Sequence, residues 1–307
     1  MTRLALAQTL VSGTVTLQGI PYSFTASASG TAMGSNVSES KKSATVASNS
    51  AAVTAARASI DKILADNSAI LSDLEITSLI SNNFTTTVRV FKPLGLEKIA
   101  TTTDGINYTL KNKATIGSGQ WLTVPSGKTL YGVPDNPLTN YGYLQLGDGT
   151  QTSSDCISVS VSITNNSEAM IPKGTCYELL SGYEFINADY RSLKNNGTLN
   201  NYGKITNSGD NSYVANNGTL NNYGLASINN TGQNAHVLNS GTFTNYANAT
   251  INNSNAYAAI TNKCGSTFVN NGTINNSGPN SSSSAATSGT GTCTATGRGS
   301  ACNKSCT

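Results

Sequence analysis

Large apolar residues recur through the second half of the chain at short, uneven intervals, and each is followed two positions later by asparagine. The apolar positions are Leu199, Ile205, Val214, Leu220, Ile228, Val237, Phe243, Ile251, Ile260, Phe268 and Ile274. Their asparagines are Asn201, Asn207, Asn216, Asn222, Asn230, Asn239, Asn245, Asn253, Asn262, Asn270 and Asn276. The intervals between apolar positions run 6, 9, 6, 8, 9, 6, 8, 9, 8 and 6, so three apolar–x–Asn units make a longer unit of 21, then 23, then 25 residues. The pattern predicts a mainly β fold, a three-sided parallel β-solenoid. Each side contributes one inward apolar residue, and successive coils stack ~4.8 Å apart through backbone hydrogen bonds. In this register Leu199, Leu220, Phe243 and Phe268 form one inner wall. Ile205, Ile228, Ile251 and Ile274 form the second, and Val214, Val237 and Ile260 the third. The asparagines are expected at the corners, where this residue tolerates left-handed backbone and where stacked amides can bond one another in a ladder. Gly197, Gly218 and Gly241 recur at one position and are expected to open the preceding corner, while Tyr202, Tyr223 and Tyr246 should stack along one outer edge.

The first half carries different patterns. Residues 9–34 alternate apolar and small polar residues, predicting two strands joined near Gly19-Ile20-Pro21. Residues 35–50 have no apolar period and read as a linker, so 1–50 is a strand arm with a linker. Over 51–82 a long α-helix is expected. Val53, Ala56, Ile60, Ile63, Asn67, Ile70 and Leu74 are spaced alternately three and four, the period of a coiled-coil seam with one polar residue on it. Such a seam predicts a homo-oligomer, a trimer before a dimer; the alternative is a helix packed on its own domain. Residues 83–114 read as a small β connector, 115–278 as the solenoid with a blurred period between 145 and 182, and 279–307 as a Ser/Gly/Cys-containing tail. Trp121 and Pro125 are placed to close the first coil. Pro279 stops the last one, leaving Cys293, Cys302 and Cys306 to tie the tail down through disulfides or a neighbouring subunit to cover the end.

Three stretches carry a family resemblance: Asn-Asn-Gly-Thr-Ile-Asn-Asn-Ser-Gly at 270–278, Asn-Tyr-Gly-Lys-Ile-Thr-Asn-Ser-Gly at 201–209 and Trp-Leu-Thr-Val-Pro-Ser-Gly-Lys-Thr-Leu at 121–130. They resemble the Asn/Gly-rich β-solenoid repeats of large DNA virus proteins, and similar repeats occur in microbial surface adhesins. The resemblance spans roughly half the chain, about 115 to 278, and implies a structural or surface role without carrying over any catalytic residue.

Composition narrows the functional classes. Charged residues make up 11% of the 307 positions, with a net charge of +3 and no basic run, which argues against nucleic acid as a partner. No apolar run approaches the ~20 residues of a membrane-spanning helix, so no membrane insertion is expected. The start faintly imitates a signal peptide, but Gln8 and Thr9 interrupt the apolar stretch, which favours a retained Met1 and assembly in a cytoplasm.

Carbohydrate-active β-helices are the natural enzymatic rival. They need carboxylates converging about 5–9 Å apart, and here Glu178 and Glu184 precede apolar positions on different sides of a coil, while Asp189 and Asp210 stand singly. Glu184 with Asp189 is the one candidate pair. His236 is the only histidine, too few for a typical zinc site or a catalytic triad. The tail cysteines, spaced C-x8-C-x3-C, lack paired C-x2-C knuckles. The sequence therefore reads as a non-enzymatic structural protein without cofactor or metal. The expected role is a virion component of fibre, minor-capsid or cement type, the alternative a cell-surface adhesin or extracellular filament subunit. Expected partners are copies of itself and other structural proteins. A glycan receptor is compatible with an adhesin, but no residue pattern supports one.

Overall fold

The computed structural model describes residues 2–17, 20–67, 69, 71–81, 84–132, 136–149, 156–284, 288, 290–298 and 301–304. They divide into two compact units, Met1–Pro93 and Leu94–Thr307.

In the first unit, β1 (Arg3–Leu17) and β2 (Ile20–Gly34) form a long antiparallel hairpin paired from Arg3↔Gly34 to Leu17↔Ile20. Strand β3 (Phe84–Pro93) pairs antiparallel along the other edge of β1. Helix α1 (Val37–Asp66) occupies the stretch expected to be a linker and continues well beyond it. Its start is capped: Glu39 N–H donates to Asn36 Oδ1 at 2.9 Å, and Ser35 donates through N–H and Oγ to the Glu39 carboxylate at 2.8 and 2.6 Å. These bonds favour the charged carboxylate and hold its pKa below the usual range, the Ser35 hydroxyl contributing most.

The helix escaped the apolar reading because its buried stripe is small. Ser40, Ala44, Ser48, Ala52, Ala56, Ile60 and Leu64 are buried at a constant interval of four, and the first five carry almost no hydrophobic signal. Small side chains let the helix backbone reach the sheet. A Cβ added to Gly30 would lie 2.5 Å from Ser48 N and 2.7 Å from Ala44 O, so only glycine fits there.

The coiled-coil seam is not present. Val53 is 39% exposed, Ile60 is buried and Ile63 is half-buried. Asn67 is the C-cap, its Nδ2 donating to Ile63 O at 2.8 Å, so it ends α1 instead of sitting on an interface. Ile70 lies outside the described residues, and Leu74 belongs to a second helix, α2 (Asp73–Ser81). Instead α1 and α2 bury Ala52, Ala56, Ile60, Leu64, Ile76 and Ile80 with Val11, Val15 and Phe24 of the hairpin. The helix is an element of its own domain.

The second unit is a three-sided parallel β-solenoid of about eight coils. It begins earlier than the repeats suggest. Asn107–Leu110, Ala114–Ile116 and Gln120–Val124 form the first coil, so much of the expected connector belongs to the solenoid. The opening is closed by a short helix, Leu96–Ile99, and by Ala100–Thr101, which pairs antiparallel with Asn107–Leu110. Leu96 and Ala100 are buried at the end of the solenoid core. Trp121, expected to do this, sits within a strand paired to Tyr143 in the next coil, and Pro125 follows that strand.

The chain also winds past Gly278. Ser282–Ser284, Thr292–Ala295 and Ala301–Lys304 continue the stack, correcting the expected end at 278. Between 145 and 182 the coils persist through Ile157–Ser160, Ile163–Asn165, Glu168–Ile171 and Cys176–Leu179, with residues 150–155 outside the described set.

Inside, the pairing places like over like. Leu199, Leu220, Phe243 and Phe268 are successive partners on the first face. Ile205, Ile228, Ile251 and Ile274 are partners on the second, and Val214, Val237 and Ile260 on the third. All eleven are at most 2% exposed.

Candidate functional site

The most regular chemistry in the molecule lies inside the solenoid. Residues i and i+2 of a strand share one side, so the asparagine of each apolar–x–Asn unit also points inward. The eleven asparagines from Asn201 to Asn276 are at most 5% exposed. On the second face Asn140, Asn165, Asn187, Asn207, Asn230, Asn253 and Asn276 form an unbroken series, each Nδ2 donating to the next Oδ1 at 2.7–2.9 Å. Asn201, Asn222, Asn245 and Asn270 do the same on the first face at 2.7–2.8 Å, and Asn195, Asn216, Asn239 and Asn262 on the third at 2.6–2.7 Å.

The second N–H of each amide is used across the corner, as in Asn195 to Thr219 O at 2.7 Å and Asn216 to Thr242 O at 2.8 Å. The oxygens also accept backbone N–H groups two residues on, such as Gly203 to Asn201 at 3.2 Å. A buried amide is stable only when so satisfied. The polar interior is therefore a structural device, bonding each coil to the next and each side to the following side.

The left-handed backbone expected at these asparagines belongs to other residues. Positive φ occurs at Tyr190, Asn211, Asn234, Asn248, Tyr257 and Asn280, in the turns between strands. The recurrent glycines have a different role as well. A Cβ on Gly218 would stand 2.0 Å from Gly197 O, so glycine permits close stacking of successive corners.

Outward residues repeat in register too. The Tyr202, Tyr223 and Tyr246 rings stack with centroids 4.9 and 4.3 Å apart, and Tyr213 stacks on His236 at 5.1 Å. Crowding within the tyrosine row, burial first and the neighbouring phenols next, pushes the Tyr223 hydroxyl up to about 12. Asn221 donates to Asn200 at 3.0 Å, and Asn275 and Asn252 link Asn229 into an outer amide row at 2.8 and 2.7 Å.

No protein-family model matches this chain, and no curated protein or solved structure does either. What the protein can do is therefore read from its own geometry.

The acidic residues are used locally. Glu184 Oε1 accepts from Lys204 Nζ at 3.0 Å and from Thr206 Oγ1 at 2.5 Å. Asp189 Oδ1 accepts the Asp210 N–H at 2.9 Å, and Asp210 Oδ1 the Gln233 N–H at 3.0 Å, so these carboxylates hold successive turns. His236 donates from Nδ1 to Asn234 O at 2.9 Å. Among the described residues no group of His, Cys, Asp and Glu is arranged to hold a metal.

The cysteines staple coils. Cys156 and Cys176 form a disulfide at the start of adjacent strands on the first face. Cys293 and Cys302 form another in the last coil, and Cys264 is disulfide-bonded as well; Cys306 lies outside the described residues. Cys293 pairs in register with Ile274, so sulfur occupies the inner-wall position held by isoleucine in the coils before it. Asn276, the last amide of the longest ladder, lies 3.5 Å from Cys293 Sγ and 3.6 Å from Cys302 Sγ and donates to Ala301 O at 2.7 Å. The ladder ends on the disulfide, and the tail forms the last coil.

Sequence reasoning did not find the polar cluster of the first unit. Ser48 Oγ donates to Thr9 Oγ1 at 2.6 Å, and Thr9 and Thr86 both donate to Asn49 Oδ1, at 2.7 and 2.9 Å. An apolar cleft lined by Val53, Arg57, Thr77, Ile80, Ser81 and Phe84 also lies here, with Arg57 ion-paired to Asp73. Neither leaves a local sequence signal, because both are assembled from distant segments.

Proposed function

We propose that the protein is a non-enzymatic structural component, a virion part of fibre, minor-capsid or cement type, in which the solenoid is a rigid spacer and the N-terminal unit attaches to other structural proteins. The observation that carries the mechanical part of this reading is the uninterrupted amide series from Asn140 to Asn276. Hydrogen bonds that run coil to coil through a dry interior resist bending and slippage better than apolar packing, which has no direction. The engaged carboxylates support the non-enzymatic part, since Glu184 and Asp189 each serve a neighbouring coil. The virion part rests on the resemblance of the Asn-Asn-Gly-Thr repeats.

A cell-surface stalk or extracellular filament subunit is the second reading. The Cys156–Cys176 and Cys293–Cys302 disulfides favour an oxidising location, which suits an exported stalk and also an exposed virion surface. Gold-labelled antibody against the solenoid, applied to purified particles and to intact cells of the source, separates the two. Label on particles supports the virion role. Label confined to cell surfaces or detached filaments replaces it with the stalk.

A further inference from the structure

We infer that the first face of the solenoid, with its tyrosine edge, is a contact between two copies of this chain. The outward residues of that face form three rows in register: Thr198, Thr219, Thr242 and Thr267; then Asn200, Asn221, Thr244 and Val269; then Tyr202, Tyr223 and Tyr246. Tyr202 and Tyr246 are 40% and 37% exposed, and Leu225, two residues after Tyr223, is 93% exposed. Aromatic residues are enriched and charged ones depleted at interface cores, and here a single carboxylate, Glu178, lies near the lower end of the tyrosine row.

Charge selects the occupant. From residue 211 to 262 the chain contains no Lys, Arg, Asp or Glu. Natural β structures keep flat faces and edges apart with such charges. In a two-fold contact the same patch meets itself, so a charge near the axis would face its own like. The four strands from Thr198 to Asn270 point no charged side chain outward on this face; the nearest is Glu178, one coil below, whose carboxylate accepts from Asn200 at 3.5 Å and bounds the patch. The hydroxyl and amide rows within it, which both donate and accept, are complementary to themselves. Paired sheets with stacked amides are known to interdigitate in this way.

Size sets the strength. Four strands ~4.8 Å apart, spanned by outward residues over about 13 Å, offer on the order of 250 Å² per copy before side-chain relief is counted, below the ~800 Å² per partner of a standard interface. The contact is therefore weak as an isolated pair and cumulative when many rods are held side by side. The inference rests on the structural reading above and names one partner within it. Its failure would leave the labelling experiment unaffected.

Sedimentation velocity of the full chain over a rising concentration series tests it. The expected result is a weight-average sedimentation coefficient that climbs with concentration. The climb is lost in Thr219→Lys/Asn221→Lys/Thr242→Lys and kept in a control with Ala215→Lys and Thr261→Lys on the third face. Melting curves matching the parent establish that both variants fold. A second triple variant, T219S/N221S/T242S, covers the case in which the lysines unfold the chain: it should associate like the parent. A parent that stays monomeric throughout overturns the proposal, as do face-one lysines that leave association intact or a loss seen only with the third-face control.

Discussion

The two units hold themselves together by opposite means. In the first, a helix is drawn against a hairpin by being thin. Ser40, Ala44, Ser48, Ala52 and Ala56 face a sheet whose Gly30 has no room for a Cβ. In the second, large side chains fill the interior and amides close it, with an apolar wall and an asparagine ladder on every face. The difference teaches that close approach and filled volume are alternative routes to a dry core, and that they fail under different substitutions.

The largest expected effect is in the filled core. Leu220 has 0% exposure between Leu199 and Phe243, so Leu220→Asp buries a charge with no partner. Breakage of this kind costs several kcal/mol, and chemical denaturation should find the solenoid unfolded or nearly so. An unchanged midpoint would refute the register.

Next comes the ladder. Asn222→Ala removes the acceptor of Asn201 and the donor to Asn245. Leaving buried amide groups unmet costs about 1–3 kcal/mol for each, so a loss of a few kcal/mol is expected in the same assay. Asn221→Ala, one residue away but outward and bonded only to Asn200 among the described contacts, should stay within ~1 kcal/mol.

The thin core should respond to the reverse change. Ala44→Leu forces volume into a stripe in contact with sheet backbone and should cost about 1–3 kcal/mol or more. A leucine tolerated there would show that the helix does not pack as closely as Gly30 implies.

The smallest effect is electrostatic. The folded-state pKa of Tyr223 is raised above its unfolded value near 10, so its contribution to stability is complete below that pH and is lost as pH rises toward about 12. Ultraviolet titration of the phenols should therefore show part of the tyrosine absorbance appearing late. Tyr223→Phe should shrink that late component, leaving the share of Tyr202 and of the buried Tyr143 and Tyr177, which burial also raises, and flatten the decline in melting temperature above pH 10.

These contrasts also explain what could be read in advance. The solenoid was legible because one large residue and one asparagine recur at every side, and pairing like over like leaves the same letters at each repeat. Its ends were not. Leu96 and Ala100 close the start from outside the repeat, and at the far end Cys293 takes the place of an isoleucine while Ser283 stands over Ile260. A disulfide can fill an inner position without looking apolar in sequence. Helix α1 was half missed for a related reason: alanine and serine at every fourth position mark a buried face by their size, which a hydrophobic period does not register. The asparagines stand out in the sequence as corner residues, whereas their inward direction follows from the pleat, in which a residue two after an inward apolar one itself points inward.

The central claim is that the interior amides bind coil to coil, and side-chain amide hydrogen exchange followed by nuclear magnetic resonance tests it most directly. Asn222, bonded above and below inside the first face, and Asn221, its outward neighbour, provide the internal comparison. The account predicts that the Nδ2 protons of Asn207, Asn222, Asn230 and Asn253 exchange far more slowly than those of Asn221 and Asn252, at a rate set by opening of the coils. Equal, rapid exchange of both sets would contradict it.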